Sequence, residues 1–130
     1  MAAVEAAVIT EGFMRVIPMA ALAVSLSAVA AFAGDPVGTY SVSGSNPGGD
    51  GAYTGTATVE KTGGTYKVTW DVAGTRSEGT GLGDSRFLGV SYRAGDYSGL
   101  ALYSPEGDDW VGVWTYAGGT ELGKEKRTRR

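Results

Sequence analysis

Asp108 and Asp109 are adjacent and Glu106 stands two positions upstream. Three carboxylates at that spacing are an oxygen cluster of the kind that holds a calcium ion or shares a proton in acid-base work. They lie in PEGDD, however, where Pro, Gly and Asp together build a hairpin turn, and the spacing matches no calcium loop. The run GTGLGDS, residues 79–85, offers glycines for a phosphate cradle. No helix pattern follows it and no Lys-Ser or Lys-Thr completes it, so it reads as a turn. Arg76, Glu78 and Thr80 share one face of a strand, either as a polar handle inside the fold or as an exposed pair of opposite charges. The chain has no His and no Cys. Ser-His-Asp and Cys-His sites are therefore excluded, as are thiol chemistry, a disulfide scaffold and the commonest metal ligand. The remaining carboxylates, tyrosines and arginines show no converging pattern. No catalytic residue, cofactor or metal is assigned, and a non-enzymatic protein is expected.

Aromatic residues carry the stronger pattern. Tyr66, Val68, Trp70 and Val72 alternate with Lys67, Thr69 and Asp71, and Tyr53, Gly55, Ala57 and Val59 alternate with Thr54, Thr56, Thr58 and Glu60. A period of two is that of a half-buried strand, with the first set of each facing the core. An offset of 44 residues superimposes Tyr53, Gly55, Ala57, Gly63, Trp70, Ala73, Gly74 and Gly79 on Tyr97, Gly99, Ala101, Gly107, Trp114, Ala117, Gly118 and Gly123. Val42-Ser43 matches Val90-Ser91 once a longer loop in the first half is allowed. The duplication places Tyr97, Gly99, Ala101, Tyr103, Trp110, Gly112, Trp114 and Tyr116 inside as well.

The elements that must position these rings are short strands. Four are expected near 37–43, 52–60, 65–73 and 75–82, and four more near 86–92, 97–104, 109–117 and 119–127. The links are rich in Gly, Asn, Asp and Pro, which favours antiparallel hairpins between successive strands. Eight strands in a meander leave an apolar face and two edges in the open; closure removes both. The expected fold is all-β: a small eight-stranded antiparallel up-and-down barrel built from a duplicated four-strand unit, with a β-sandwich as the alternative.

Large rings beside Gly and Ala either fill a narrow barrel or line a cavity for a flat apolar ligand. In the second case Trp70, Trp114, Tyr53 and Tyr97 are the candidate ligand-binding residues. On the opposite face the second half carries Leu100, Leu102, Val111 and Val113 where the first half carries Thr56, Thr58, Lys67 and Thr69. An exposed apolar patch of this kind marks a partner surface, either for a homodimer or for another protein; the alternative is a bulge that shifts the register there.

Upstream, Val16 to Ala33 is free of charge, follows Arg15, and ends in Ala31-Phe32-Ala33 before Gly34. A basic start, an apolar stretch and a small-x-small end form a secretory signal with its cut after Ala33, giving a hydrophobic signal helix within residues 1–33. Glu5 and Glu11 are out of place in such a leader, which points to Met14 as the true start. The alternatives are an uncleaved membrane anchor and a buried core helix. Residues 34–123 are then the barrel domain and 124–130 a basic C-terminal tail. From Gly34 to Gly123 there are eleven acids and five bases, whereas KEKRTRR has five bases and one acid. Such an end can bind an anionic surface or remain solvated, or protect a sheet edge. Basic and aromatic residues do not interleave elsewhere, so no nucleic acid is expected as a partner, and a membrane only through an uncleaved leader.

The elements G-x-Y-x-V-x-G-x-N-P-x-G, Y-x-G-x-A, V-x-W and W-x-Y-A-G-G-T-E-x-G before a basic end resemble small exported bacterial proteins labelled fibronectin-binding. They span nearly all of the chain after Gly34. The resemblance implies adhesion to a host matrix protein such as fibronectin, and a periplasmic or extracellular location. Gly38-Thr39-Tyr40 also resembles the G-x-W opening of lipocalin and avidin barrels, with Tyr in place of Trp, which implies architecture only. The expectation is thus an exported binding module, acting either on a macromolecular partner or on a small apolar or aromatic ligand inside the barrel.

Overall fold

Two-residue turns set the topology. Ala73 and Gly74 both have positive φ, 52° and 80°, the backbone of a type I′ turn whose twist matches that of the strands it joins. Gly63, Gly95 and Gly107 supply the positive φ in three further turns. A computed structural model describes residues 34–49 and 51–130. The expected leader at 1–33 and the start at Met14 lie outside the described residues. Eight strands follow one another: β1 (Gly38–Ser45), β2 (Ala52–Thr62), β3 (Thr65–Val72), β4 (Thr75–Gly83), β5 (Leu88–Ala94), β6 (Tyr97–Glu106), β7 (Asp109–Tyr116) and β8 (Gly123–Arg129). Each pairs antiparallel with the next, and β8 pairs with β1, so the sheet is a closed up-and-down barrel. The sandwich alternative is not realised, because no strand is left at an edge.

Three expectations about the chain are corrected. Residues 124–130 are no tail: Gly123–Arg129 is β8, bonded to β7 on one side and β1 on the other. The physical reason is alternation, since Glu125 and Arg127 point inward while Lys124, Lys126 and Thr128 meet solvent. GTGLGDS is strand as far as Gly83, with Gly79 and Gly81 facing the barrel interior, where a Cβ would press on Val90 and Leu88. The last strand starts at Gly123 instead of 119, leaving Ala117–Leu122 as a loop tied by Thr115 Oγ1 to the Glu121 carbonyl at 2.8 Å.

The two halves share register over their central hairpins: Ala57 pairs with Trp70 and Ala101 with Trp114. They part at the ends. Trp70 faces Ser77, whereas Trp114 faces Gly123, so β8 is set two residues further along than β4. At the other end Ala57 pairs with Tyr40 and Ala101 with Val90, which makes Tyr40, not Val42, the counterpart of Val90.

The interior is filled at one end only. Around the turns at 63–64 and 107–108, Tyr40, Val59, Tyr66, Val68, Leu88 and Trp110 are buried. Residues 35–37 run across this end. Arg129 holds them there, donating from Nη2 to the Asp35 carbonyl at 2.6 Å and from Nη1 to the Val37 carbonyl at 2.9 Å, with its guanidinium 4.9 Å from the Tyr40 ring centroid. The Tyr40 hydroxyl donates to the Pro36 carbonyl at 2.7 Å.

Candidate functional site

Toward the opposite end the core gives way to a cavity of about 260 Å³. Its walls come from seven strands: Tyr53 on β2, Trp70 and Val72 on β3, Ser77 on β4, Tyr92 on β5, Tyr103 on β6, Trp114 on β7 and Glu125 on β8, among others. The rings stand edge to face. Tyr53 lies 6.1 Å from Trp114 between centroids, Tyr92 lies 6.2 Å from Trp114, and Trp70 lies 5.7 Å from Tyr92, at interplanar angles of 65° to 73°. This is the favoured arrangement for aromatic pairs, so the rings hold one another apart as well as in place.

Glycine makes the cavity. Across each inter-strand pair a large ring faces a residue without a side chain: Tyr53 opposite Gly44, Tyr92 opposite Gly99, Tyr103 opposite Gly112, Trp114 opposite Gly123. A Cβ at Gly44 would fall 2.5 Å from Tyr53, and one at Gly123 would fall 2.6 Å from Trp114. Each ring therefore lies down on the wall over its glycine instead of standing across the lumen.

At the floor is a carboxylate. Glu125 Oε1 accepts from the Tyr53 hydroxyl at 2.8 Å. Its Oε2 accepts from the Tyr103 hydroxyl at 2.8 Å, from Trp70 Nε1 at 3.2 Å and from Arg127 Nε at 3.0 Å. Arg127, deeper on β8, is 1% exposed and its guanidinium lies 3.8 Å from the Tyr103 ring centroid. Among the described residues, Arg127 Nη2 is one of three buried side-chain nitrogens with no hydrogen-bond partner, and the tyrosine face partly takes the place of one.

Burial, and then the Glu125 carboxylate, push the Tyr53 hydroxyl far above its ordinary range. Burial raises Tyr103 as well, against the lowering pull of Arg127. Tyr92 is pushed up to about 12, by burial first and then by Tyr116 and Glu125. All three stay protonated at neutral pH, which is what lets Tyr53 and Tyr103 donate to the carboxylate. For Arg127, burial would lower the pKa, but the Tyr103 oxygen and Glu125 outweigh it and the guanidinium stays charged.

The sequence-derived candidates gather here. Trp70, Trp114, Tyr53 and Tyr97 all line the one cavity. Tyr97 stands at its mouth, 68% exposed and 6.0 Å from the ring of Tyr116. Glu125 and Tyr92 were not singled out. The first was hidden in a basic run, although the repeat puts Gly123 on Gly79, an inward position, and strand alternation then carries Glu125 inward too. The second sits one residue before the turn-rich stretch RAGD.

Leu100, Leu102, Val111 and Val113 project from the outer wall, so no bulge shifts the register. Leu100 is 62% exposed and Leu102 54%, while Val111 and Val113 are partly covered. Leu82 of β4 extends the patch across Gly89, which pairs with both Leu82 and Leu102. Arg76 and Glu78 are also outside, an exposed pair at 4.0 Å, and not a handle within the barrel. The acids of the β6–β7 turn are engaged with β8: Asp109 accepts the Arg129 N–H at 3.0 Å and Glu106 pairs with Lys126 at 3.3 Å. Among the described residues no three acidic side chains converge where a metal could sit.

No protein-family model and no curated protein matches the chain.

Proposed function

We propose that this protein is an exported, non-enzymatic barrel that binds a small apolar or aromatic molecule in the cavity between Tyr53, Trp70, Tyr92 and Trp114. The observation that carries the reading is the volume left among those rings. An apolar cavity of roughly 150 Å³ is enough to hold benzene, and about 260 Å³ accommodates one ring with a short substituent. Ring faces supply most of the binding energy in such a site, and few polar groups fix orientation.

The test is native mass spectrometry of the protein purified from its own host. The expected result is an adduct of small-molecule mass that is lost in the Trp70→Ala, Trp114→Ala double variant. A protein that carries no adduct and shows no tryptophan fluorescence change with indole or ethylbenzene would overturn the reading. The same spectrum reads the chain start, expected at Gly34.

The outer patch favours a second reading, adhesion or self-association. Exposed Leu82 on β4 and Leu100 and Leu102 on β6, on either side of Gly89 in β5, form an apolar surface that a second copy of the barrel, or a matrix protein such as the fibronectin implied by the resemblance, would cover. Light scattering of the Leu102→Thr, Val111→Thr variant separates the cases. A drop to monomer mass supports an interface between copies. An unchanged mass, with unchanged retention on immobilised fibronectin, removes this reading.

A further inference from the structure

We infer that the ligand of the aromatic cavity is an amine in its protonated form: a compact cation on an aromatic or aliphatic body, its N–H directed at Glu125. This rests on the cavity being a ligand site and adds which molecules it selects. Among the described residues lining the cavity, Glu125 is the only one with a charged side chain. Its partner Arg127 is further along β8, away from the mouth, and does not line the cavity. The buried ion pair thus presents its negative end to whatever enters. A carboxylate or phosphate entering would meet Glu125 with no cation in front of it, which costs heavily in a desolvated site.

The oxygens of Glu125 are unequally used. Oε2 accepts from three groups, Trp70, Tyr103 and Arg127, whereas Oε1 accepts from Tyr53 alone. With one donor on Oε1 against three on Oε2, Oε1 keeps acceptor capacity for an incoming donor. A charged N–H donor there makes a short, charge-assisted bond.

The walls suit the same charge. Four aromatic rings, set edge to face with one another, line the same space, and electron-rich rings gathered in this way are the walls of sites that recognise ammonium ions. The barrel already accommodates one cation this way, since the Arg127 guanidinium lies 3.8 Å from the Tyr103 centroid and 5.3 Å from that of Trp70.

The experiment compares three probes of one shape by tryptophan fluorescence and calorimetry on the full chain after Ala33: 2-phenylethylamine, ethylbenzene and phenylacetate. The amine is expected to bind about tenfold or more tighter than the hydrocarbon, and the acid weaker than either. In the Glu125→Gln, Arg127→Met double variant, which removes both charges at similar volume, the amine should fall to parity with ethylbenzene while ethylbenzene binding persists. Tyr53→Phe supplies a second variant that leaves the ion pair intact. It frees Oε1 entirely, so preference for the amine should rise. Equal binding of amine and hydrocarbon by the unsubstituted protein overturns the inference and leaves the cavity as a ligand site. So does an amine preference that survives in the double variant, or one that falls to parity in Tyr53→Phe. Failure of all three probes overturns both.

Discussion

Glu125 and Arg127, two residues apart on β8, form a buried ion pair inside the barrel at 3.0 Å, with the carboxylate on the cavity side. The Glu125 side chain is satisfied by two tyrosine hydroxyls, an indole and the guanidinium, so removing Arg127 alone leaves a buried charge short of its counter-ion. Arg127→Met should cost about 3–5 kcal/mol, the usual penalty for orphaning one member of a buried pair. Replacing both, as Glu125→Gln with Arg127→Met, should recover most of that loss. Urea unfolding of the two variants measures the difference. Equal destabilisation by both would mean that packing, and not charge, accounts for the effect.

The tyrosines around that pair make the fold sensitive to alkali. Tyr53, Tyr92 and Tyr103 all have raised hydroxyl pKa values in the folded state. Above about pH 10 the unfolded chain gives up phenolic protons that the folded chain keeps. The unfolded state then binds fewer protons, so stability is fully present below about pH 10 and falls as pH rises beyond it. The urea midpoint should be level from neutrality to that point and then decline, with a shallower decline in Tyr53→Phe. A midpoint still level near pH 12 would contradict the protonation states assigned to the cavity.

Ring-over-glycine pairing is testable at single positions. Gly123→Ala puts a methyl against Trp114 where no space exists. It should cost about 1–3 kcal/mol, as overpacking generally does, and should also shift the tryptophan emission. Gly64→Ala is the control, because nothing lies within 4 Å of a Cβ there and the expected change is within about 0.5 kcal/mol. If the two variants unfold alike, the glycines are not what lays the rings along the wall.

Much of this is legible in the sequence itself, for reasons that also explain the rest. Glycine and aspartate mark hairpin turns because few other residues accept positive φ, so the strands of both halves could be placed within a few residues. The strict alternation in TYKVTWDV and AYTGTATVE fixed which side chains face inward, and it brought Trp70, Tyr53 and Trp114 to one cavity. Register between non-repeated ends left no such trace. Tyr40 takes the place opposite Ala57 because β1 and β5 pair at different offsets from the repeat, and the loop Ala117–Leu122 sets β8 two residues along. The floor of the site was concealed by composition: KEKRTRR has the charge of a solvated tail, and only its alternation in the closed sheet separates the inward Glu125 and Arg127 from the outward lysines.

That segment supports the sharpest structural prediction. A basic tail can be removed without harm, whereas β8 cannot. Ending the chain after Gly123 exposes the edges of β1 and β7, removes the Glu125 acceptor from Tyr53, Trp70 and Tyr103, and takes away the Arg129 that holds residues 35–37 over the closed end. Two open edges invite pairing between chains. The truncated protein should therefore lose its cooperative unfolding transition and sediment as aggregates. A milder variant isolates one part of this. Arg129→Ala keeps β8 but removes the donors to Asp35 and Val37, and should cost about 1.5–3 kcal/mol, as for hydrogen bonds from a charged group. Amide exchange at residues 37–40 should accelerate while that of β6 and β7 stays slow. A truncated chain that unfolds with the same midpoint as the full one would show that the barrel closes without its last strand.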